Sequence, residues 1–278
     1  MAFFANEDVK KIAHWMCDTD SKKCYLREWV YVNLDAHAGI IFRIIKYVYR
    51  LMFGPMRITT WNNAKRKTGE MAGHLPVIEG ADVYMMTNVF TLEQYRYKKK
   101  FEPVKEDIVY DCGACVGDTA IWYANKVERV VAFEPDPDNV IKLQKNLKRN
   151  NIENVFIVAK GVAATSGEMR FDLGQGDSSK AQDSGTTIIS VCSIDDYAQL
   201  HQEAPTIIKM DIEGAEIDAL KGAKNTIILN KPKLAICIYH NPQVDMICIP
   251  TMLKEWRPDY QMFCRKIHHY RETVLFAV

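Results

Sequence analysis

IVYDCGACVGDTAIWYANKVERVVAFE, residues 108–134, is the stretch on which the fold turns. An apolar run at 108–110 leads into a glycine-bearing turn opening at Asp111. A helical segment starts at about Gly117, and a second β-branched run ends on Glu134. That is a β-turn-α-β unit. Such a turn brings bare backbone against a ligand at the helix N-terminus, hence the flanking Gly113 and Gly117, and an acidic residue about 20 positions on meets a ribose diol. Glu134 stands 21 positions beyond Gly113. A dinucleotide fingerprint would need glycine where Cys115 and Asp118 stand, so this turn suits a smaller nucleoside ligand better than a pyrophosphate.

A second informative stretch, IIKMDIEGAEIDALKG at 207–222, reads as an apolar strand ending on Asp211 and a helix beginning near Gly214. The two stretches belong to one ordered series. It comprises Asp111-Cys-Gly-Ala-Cys-Val-Gly-Asp-Thr119, Ala132-Phe-Glu-Pro-Asp-Pro137, Ser193-Ile-Asp-Asp-Tyr197 and Lys209-Met-Asp-Ile-Glu-Gly-Ala-Glu216 with Leu220-Lys-Gly222. The series resembles the motifs of the FkbM-type S-adenosylmethionine-dependent methyltransferases over roughly 101–278. A weaker likeness lies at 18–25, which resembles the short helical opening of many bacterial members.

The resemblance implies a Rossmann-like class I methyltransferase fold, a seven-stranded, mostly parallel sheet with an antiparallel final strand. It implies S-adenosylmethionine as donor, S-adenosylhomocysteine as product, and a hydroxyl of a sugar, glycan or natural product as acceptor. Together with strand-end placement it assigns donor binding to Asp111, Gly113, Ala114, Gly117, Thr119, Glu134, Pro135, Gly161, Val162 and Asp211. Two departures are visible. Cys115 stands where relatives usually carry asparagine, and Ala159-Lys-Gly-Val162 offers no carboxylate for the adenine amine. The adenine is then expected to rest on backbone, Pro135 and Val162.

At 278 residues, 48% hydrophobic and 26% charged, the chain has ample apolar content for one large domain and a small one. A net charge of +1 argues against nucleic acid, whose phosphates call for a basic excess. Eight scattered cysteines, and an N-terminal ten residues with Glu7, Asp8 and no apolar core, predict a reduced cytoplasmic protein. Cys112 and Cys115 form a CxxC, but no second pair stands at zinc spacing, so they read as loop residues.

In chain order, apolar residues recur at helical spacing over 9–31, broken by a turn with an N-cap at 18–21, and predict a helical hairpin. The segment 38–53 is apolar but interrupted by Arg43, Lys46 and Arg50, too short for a membrane span. It reads as an amphipathic helix packed on the large domain, with an anionic membrane surface as the alternative. Short strands or irregular segments are expected over 56–97, and a boundary near Lys98-Lys-Lys100 separates an N-terminal part, 1–100, from a donor-binding domain, 101–278. Strands are predicted at 108–112, 130–134, 155–159, 207–210 and 234–239, and helices at about 118–125, 137–150, 215–221 and 244–256. This alternation means parallel strands with right-handed crossovers. A hairpin at 167–171 and 186–191 is joined by a polar loop, 174–185, readable as lid or linker. The pair 260–264 and 273–277 closes the sheet.

Methyl transfer from a sulfonium to oxygen is an in-line displacement that depends mainly on alignment. Asp111, Glu134 and Asp211 end three strands at the edge where ligands of open α/β sheets bind. Asp211 has three open roles: general base, orienter of the hydroxyl, or, with Glu213, ligand of a divalent ion. His240 competes for the base role, and Lys209 is read as an orienting partner for a carboxylate. No metal is assigned. His268 and His269 read as surface residues of a turn. The 1–100 part, with Trp15, Tyr25, Trp29 and Trp61, is expected to cap the acceptor side or to pack against a second subunit in a homodimer. Two rival functions remain, a non-catalytic nucleoside-binding module and a nucleotide-cofactor oxidoreductase.

Overall fold

The computed structural model describes residues 7–35, 61–172, 180–181, 187–267 and 272–278. The 38–53 segment, His268 and His269 lie outside the described residues, as does most of the 174–185 loop.

The centre of the molecule is a seven-stranded sheet. Its strands are β1 (Ile108–Cys112), β2 (Arg129–Phe133), β3 (Val155–Val158), β8 (Ile207–Met210), β9 (Lys233–Cys237), β10 (Met262–Lys266) and β11 (Thr273–Ala277), in the order β10-β11-β9-β8-β1-β2-β3. The strands from β9 to β3 pair in parallel, and β11 runs antiparallel between β9 and β10. Strand order reverses beside β1, and the crevice that this opens beyond the strands' carboxyl ends positions the site. β1, β2, β8 and β9 are almost wholly buried because helices cover both faces. A second small sheet, β4 (Gly161–Val162), β5 (Gly167–Asp172), β6 (Lys180–Ala181) and β7 (Thr187–Cys192), holds the expected hairpin, with β5 antiparallel to β7.

The predicted helical hairpin is present as α1 (Glu7–Trp15) and α2 (Thr19–Asp35), with Asp18 Oδ1 accepting from the Ser21 N–H at 2.7 Å as the N-cap. It does not form a separate domain. Val9, Ile12, Tyr25 and Trp29 are buried in the same core as Tyr110, Ile208 and Met262 of the sheet, and the Cys17 N–H donates to the Met262 carbonyl at 2.9 Å. The hairpin therefore covers the β10 side of the sheet, and Trp15, Tyr25 and Trp29 pack in that core and are absent from the cleft lining.

The helices α3 (Asp118–Ala124), α4 (Pro137–Arg149), α6 (Glu216–Lys221) and α8 (Pro242–Trp256) stand where the spacing places them. At α4, Asp136 Oδ1 caps the Asp138 N–H at 2.9 Å and Pro137 opens the helix. Two further helices, α5 (Ile194–His201) and α7 (Lys224–Asn230), were not expected. Each is short, and α5 is signalled only by Ser193, whose Oγ caps the Asp196 N–H at 3.0 Å. The 56–97 expectation also changes: 61–70 is helical, and Val83–Met86, capped by Asp82, runs into a π-turn at Thr87–Thr91.

Candidate functional site

The turn from β1 into α3 is a cradle of bare backbone. Gly113 has φ +80°, and a Cβ built on it would lie 2.0 Å from the Asp211 carbonyl oxygen, so no side chain fits there. The Gly113 and Ala114 N–H groups both donate to the Phe133 carbonyl at 3.0 Å. Cys115 follows at φ +47°, the left-handed region in which asparagine is enriched. Its thiol is held protonated by burial, so the CxxC offers no reactive thiolate.

Glu134 is fixed by the same turn. Its Oε2 accepts from the Cys115 N–H at 2.8 Å, and its Oε1 accepts from the Asp136 N–H at 2.9 Å and from the Asn139 amide at 3.5 Å, which leaves Oε2 with capacity for a further donor. Burial raises its pKa, and the two backbone donors pull the other way.

Beneath the turn lies a buried ion pair. Lys209 Nζ sits 2.9 Å from Asp111 Oδ1, with side chains 2% and 0% exposed, because β8 and β1 place these residues directly opposite each other. Lys209 also donates to the Gly113 carbonyl at 2.8 Å, and Thr119 Oγ1 donates to Asp111 Oδ2 at 2.6 Å. Burial alone would lower the lysine pKa, but Asp111 and Asp211 outweigh it and keep the ammonium charged. The pair thus locks the turn from below.

The turn opens into a cavity of about 1120 Å³ including the solvent at its open mouth. Of the expected donor residues, Gly113, Thr119, Glu134, Pro135, Gly161, Val162 and Asp211 line it, and so do Lys209 and Glu213. Asp111, Ala114, Gly117 and His240 do not; Asp111 is spent on Lys209 and Thr119, and Ala114 and Gly117 shape the turn from behind. Met169 and Ile189 of the small sheet add apolar surface beside Pro135 and Val162. Asp118, at the start of α3, also faces the cavity, and burial pushes its carboxyl up to about 6.

The opposite wall carries a denser network. Asp211 Oδ2 accepts from the Tyr95 hydroxyl at 2.7 Å and Oδ1 from the Tyr239 hydroxyl at 3.0 Å. His240 Nε2 stands 3.3 Å from Asp211 Oδ1 and 3.6 Å from Glu213 Oε1, while Nδ1 stands 2.7 Å from Glu216 Oε1. Burial would lower the histidine pKa, but Glu213, Glu216 and Asp211 push it up to about 11, so the ring is an imidazolium at neutral pH. Burial would likewise raise Asp211, and His240, Lys209 and the two tyrosines instead bring it below its usual value. Among the described residues, Asp211, Glu216 and His240 have ligand atoms within 4.8 Å of one another, a spacing that suits a metal. The three pair with one another as an ion-pair network in which Glu216 Oε2 and His240 Nε2 are buried without a hydrogen-bond partner.

Glu216, Tyr95, Tyr239 and Glu272 were not singled out from the sequence. Glu272 lines the cavity, 7% exposed, with Tyr84 donating to Oε1 at 3.0 Å and the Gln94 amide donating to Oε2. The signal for it was topological: β11 runs antiparallel, so the residue before its start lies at the carboxyl edge of its parallel neighbours. Tyr84, Met85, Asn88, Gln94 and Tyr95 make 84–95 the N-terminal segment that covers the cleft. Trp61 is tied to this segment through Nε1, which donates to Asn88 Oδ1 at 3.1 Å.

The model of the Methyltransferase FkbM domain matches residues 111–268, more than half of the chain. The chain belongs to this family. It is 28% identical over 130 residues to a hexuronic acid methyltransferase, AglP, of Haloferax volcanii, covering 45% of this chain and 54% of that protein. The crystal structure of an FkbM methyltransferase from Methylobacillus flagellatus KT superposes with a TM-score of 0.55 at 26% identity, over 80% of this chain and 59% of that one. The chain thus spans little more than half the length of either relative. The sheet is that of the class I, Rossmann-like methyltransferases, whose donor is S-adenosylmethionine. Among the described residues, no helix is long and apolar enough to cross a membrane.

Proposed function

We propose that this protein transfers a methyl group from S-adenosylmethionine to a hydroxyl of a sugar or glycan. One observation carries the reading: a single cavity has a diol-ready carboxylate, Glu134, at one end and a hydroxyl-bonded carboxylate, Asp211, at the other. The residues present fit the donor. Gly113 leaves bare backbone in the cavity wall, Glu134 places a carboxylate in the same wall for the ribose hydroxyls, and Pro135, Val162, Met169 and Ile189 offer apolar surface to a flat base. Bound there, S-adenosylmethionine supplies an electrophilic methyl on a cationic sulfur. Asp211 and Tyr239 then face the attacking oxygen, and the 84–95 segment excludes water from that side. The sugar class follows the hexuronic acid named for the Haloferax relative. The eight cysteines stand as thiols, Cys264 donating to Cys24 with the sulfurs 3.7 Å apart, which supports a cytoplasmic setting.

The test has two arms. Calorimetry with S-adenosylhomocysteine should give a complex that NAD does not compete with, and Glu134→Ala should weaken it about tenfold or more, the worth of a charge-assisted hydrogen bond. Tritium from the labelled methyl should then appear in a panel of p-nitrophenyl glycosides that includes the glucuronide. Tight binding without transfer to any glycoside would favour the non-catalytic module or a different acceptor. Competition by NAD would restore the oxidoreductase reading.

A further inference from the structure

The three groups that ordinary strand-end reading places at the reacting hydroxyl leave its proton without a good acceptor. His240 already carries its proton, Lys209 is a buried cation, and Asp211 is weakened as a base by two tyrosine hydroxyls and the imidazolium. Glu272 differs from all of them.

Its place follows from the register of the sheet. β11 pairs antiparallel with β9, Val274 opposite Cys237, and the Ile238 N–H donates to the Thr273 carbonyl at 3.0 Å. Two residues before Val274, Glu272 comes level with Tyr239, two residues past Cys237, at the same edge as Asp211. The carboxylate is inside the cavity wall, and the hydroxyl of Tyr84 and the amide of Gln94 hold one oxygen each. Its backbone stands at φ +66°, a left-handed conformation that costs a side-chain-bearing residue about 1 kcal/mol or more and persists where the surroundings impose it.

We propose that Glu272 is the base of the acceptor side, taking the proton of the attacking hydroxyl while Asp211 orients that hydroxyl. The assignment rests on the methyl-transfer reading above. The acceptor's O–H bond breaks, its oxygen forms the new bond to the methyl carbon, and the sulfur–methyl electron pair stays on sulfur. The proton passes to a Glu272 oxygen and later to water, so charge and atoms balance without a further reactant. Burial and then the neighbouring Asp211 carboxylate push the Glu272 carboxyl up to about 7, with Tyr84, Gln94 and His240 pulling the other way. A base that titrates near the working pH combines availability with proton affinity. The groups facing it are Tyr84 and Gln94 of the 84–95 segment, Tyr95 beyond them, Asp211 after β8, the Cys237 thiol at the end of β9, and Tyr239 and His240 after it.

The experiment separates this assignment from the acceptor class. A cationic donor bound beside Glu272 favours its ionised form, so S-adenosylmethionine binding at pH 7, followed by calorimetry in buffers of different ionisation enthalpy, should release protons. Asp118 and Glu134 contribute equally in both proteins, so Glu272→Gln should release fewer than the wild type by roughly half a proton. With p-nitrophenyl glucuronide as acceptor, Glu272→Gln should lower kcat by about 10² to 10⁴ at nearly unchanged donor Kd and remove the break near pH 7. Glu272→Asp, which keeps a carboxyl one methylene shorter, should retain that break at reduced rate and serves as the folded control. Unchanged proton release in Glu272→Gln overturns the assignment whatever the acceptor, as does an unchanged kcat and pH profile. A lost proton with no wild-type transfer to any glycoside supports the ionisation of Glu272 and counts against the sugar-acceptor reading.

Discussion

The two ends of the cavity are built in different ways. The donor end comes from one continuous stretch, β1 to the end of β2, in which a turn, a helix start and a carboxylate 21 residues on are held by backbone hydrogen bonds. The acceptor end is assembled from four separated places: the 84–95 segment, the end of β8, the residues after β9 and the residue before β11. The donor end is rigid because main-chain atoms touch main-chain atoms. The acceptor end is a web of side chains whose charges depend on one another. A substitution at the first should act through shape, and at the second through ionisation.

The largest effect should therefore come from shape at the donor end. A Cβ at Gly113 would meet the Asp211 carbonyl at 2.0 Å, backbone against backbone, so β1 and β8 must part exactly where the cleft opens. Gly113→Ala should abolish detectable S-adenosylhomocysteine binding and cost at least about 2 kcal/mol of stability, including the left-handed penalty. Gly117→Ala carries the same left-handed penalty at φ +96°, but its Cβ meets a side-chain tip, Leu143 Cδ1 at 2.3 Å, rather than the backbone of the neighbouring strand. Its complex should survive. Titration of both variants by calorimetry, with urea unfolding, checks the contrast, and equal losses would mean that the turn is not held by that carbonyl.

The same contrast explains what could be read without the structure. The donor end was legible because glycine spacing, strand-end acids and helix starts are local properties, and Asp111, Gly113, Glu134 and Asp211 fall at the predicted strand ends. Their roles divide more finely than spacing tells. Asp111 and Asp211 both end strands, yet register puts Lys209 across from Asp111 and hides it, while Asp211 stays in the wall. Glu272 was invisible for the reason that β11 is reversed, and the charge of His240 could not be read because three carboxylates from α6 and the β8 loop converge on it only in the fold. The N-terminal hairpin was seen as an element, but its place against β10 was not, since periodicity reports an apolar face and not the surface it meets.

Next in size is a charge at the acceptor end. Asp211→Asn keeps the shape that Tyr95 and Tyr239 recognise and removes the carboxylate that we propose orients the hydroxyl. We expect kcat to fall by about 10² or more with donor affinity within a few fold. Glu134→Ala should give the reverse pattern, a weaker donor complex with a smaller effect on turnover at saturation. Measuring Kd for S-adenosylhomocysteine and kcat for methyl transfer in both variants sharpens the division. If both substitutions weakened donor binding alike, the cavity would behave as one site and the division would fail.

The smallest effect is on stability, and it reads the acceptor-end network without any ligand. His240 is 9% exposed in the fold, and its pKa is pushed from 6.5 up to about 11 by Glu213, Glu216 and Asp211 against the cost of burial. Below pH 6.5 the ring is protonated whether the chain is folded or not. Between there and about 11 the folded protein holds a proton that the unfolded chain has lost, so stability falls as pH rises through this window, by at most about 1.4 kcal/mol per unit. The fall should be visible between pH 7 and 8.5, before tyrosines titrate, as a declining urea midpoint. In His240→Gln the slope should flatten over the same interval, because the amide cannot release the proton whose loss produces it. Cysteines buried in the fold begin to contribute near the upper limit, equally in both proteins, whereas the Asp211 and Glu272 carboxyls, which the imidazolium holds down, rise in the variant, so the difference between the two slopes reports the histidine together with these carboxyls. Glu216→Gln, which removes the 2.7 Å partner of Nδ1, should reduce the slope as well. Coincident slopes for wild type and His240→Gln would mean that the ring is neutral in the fold; His240 would then be free to accept a proton, and the case for Glu272 as base would have to compete with it.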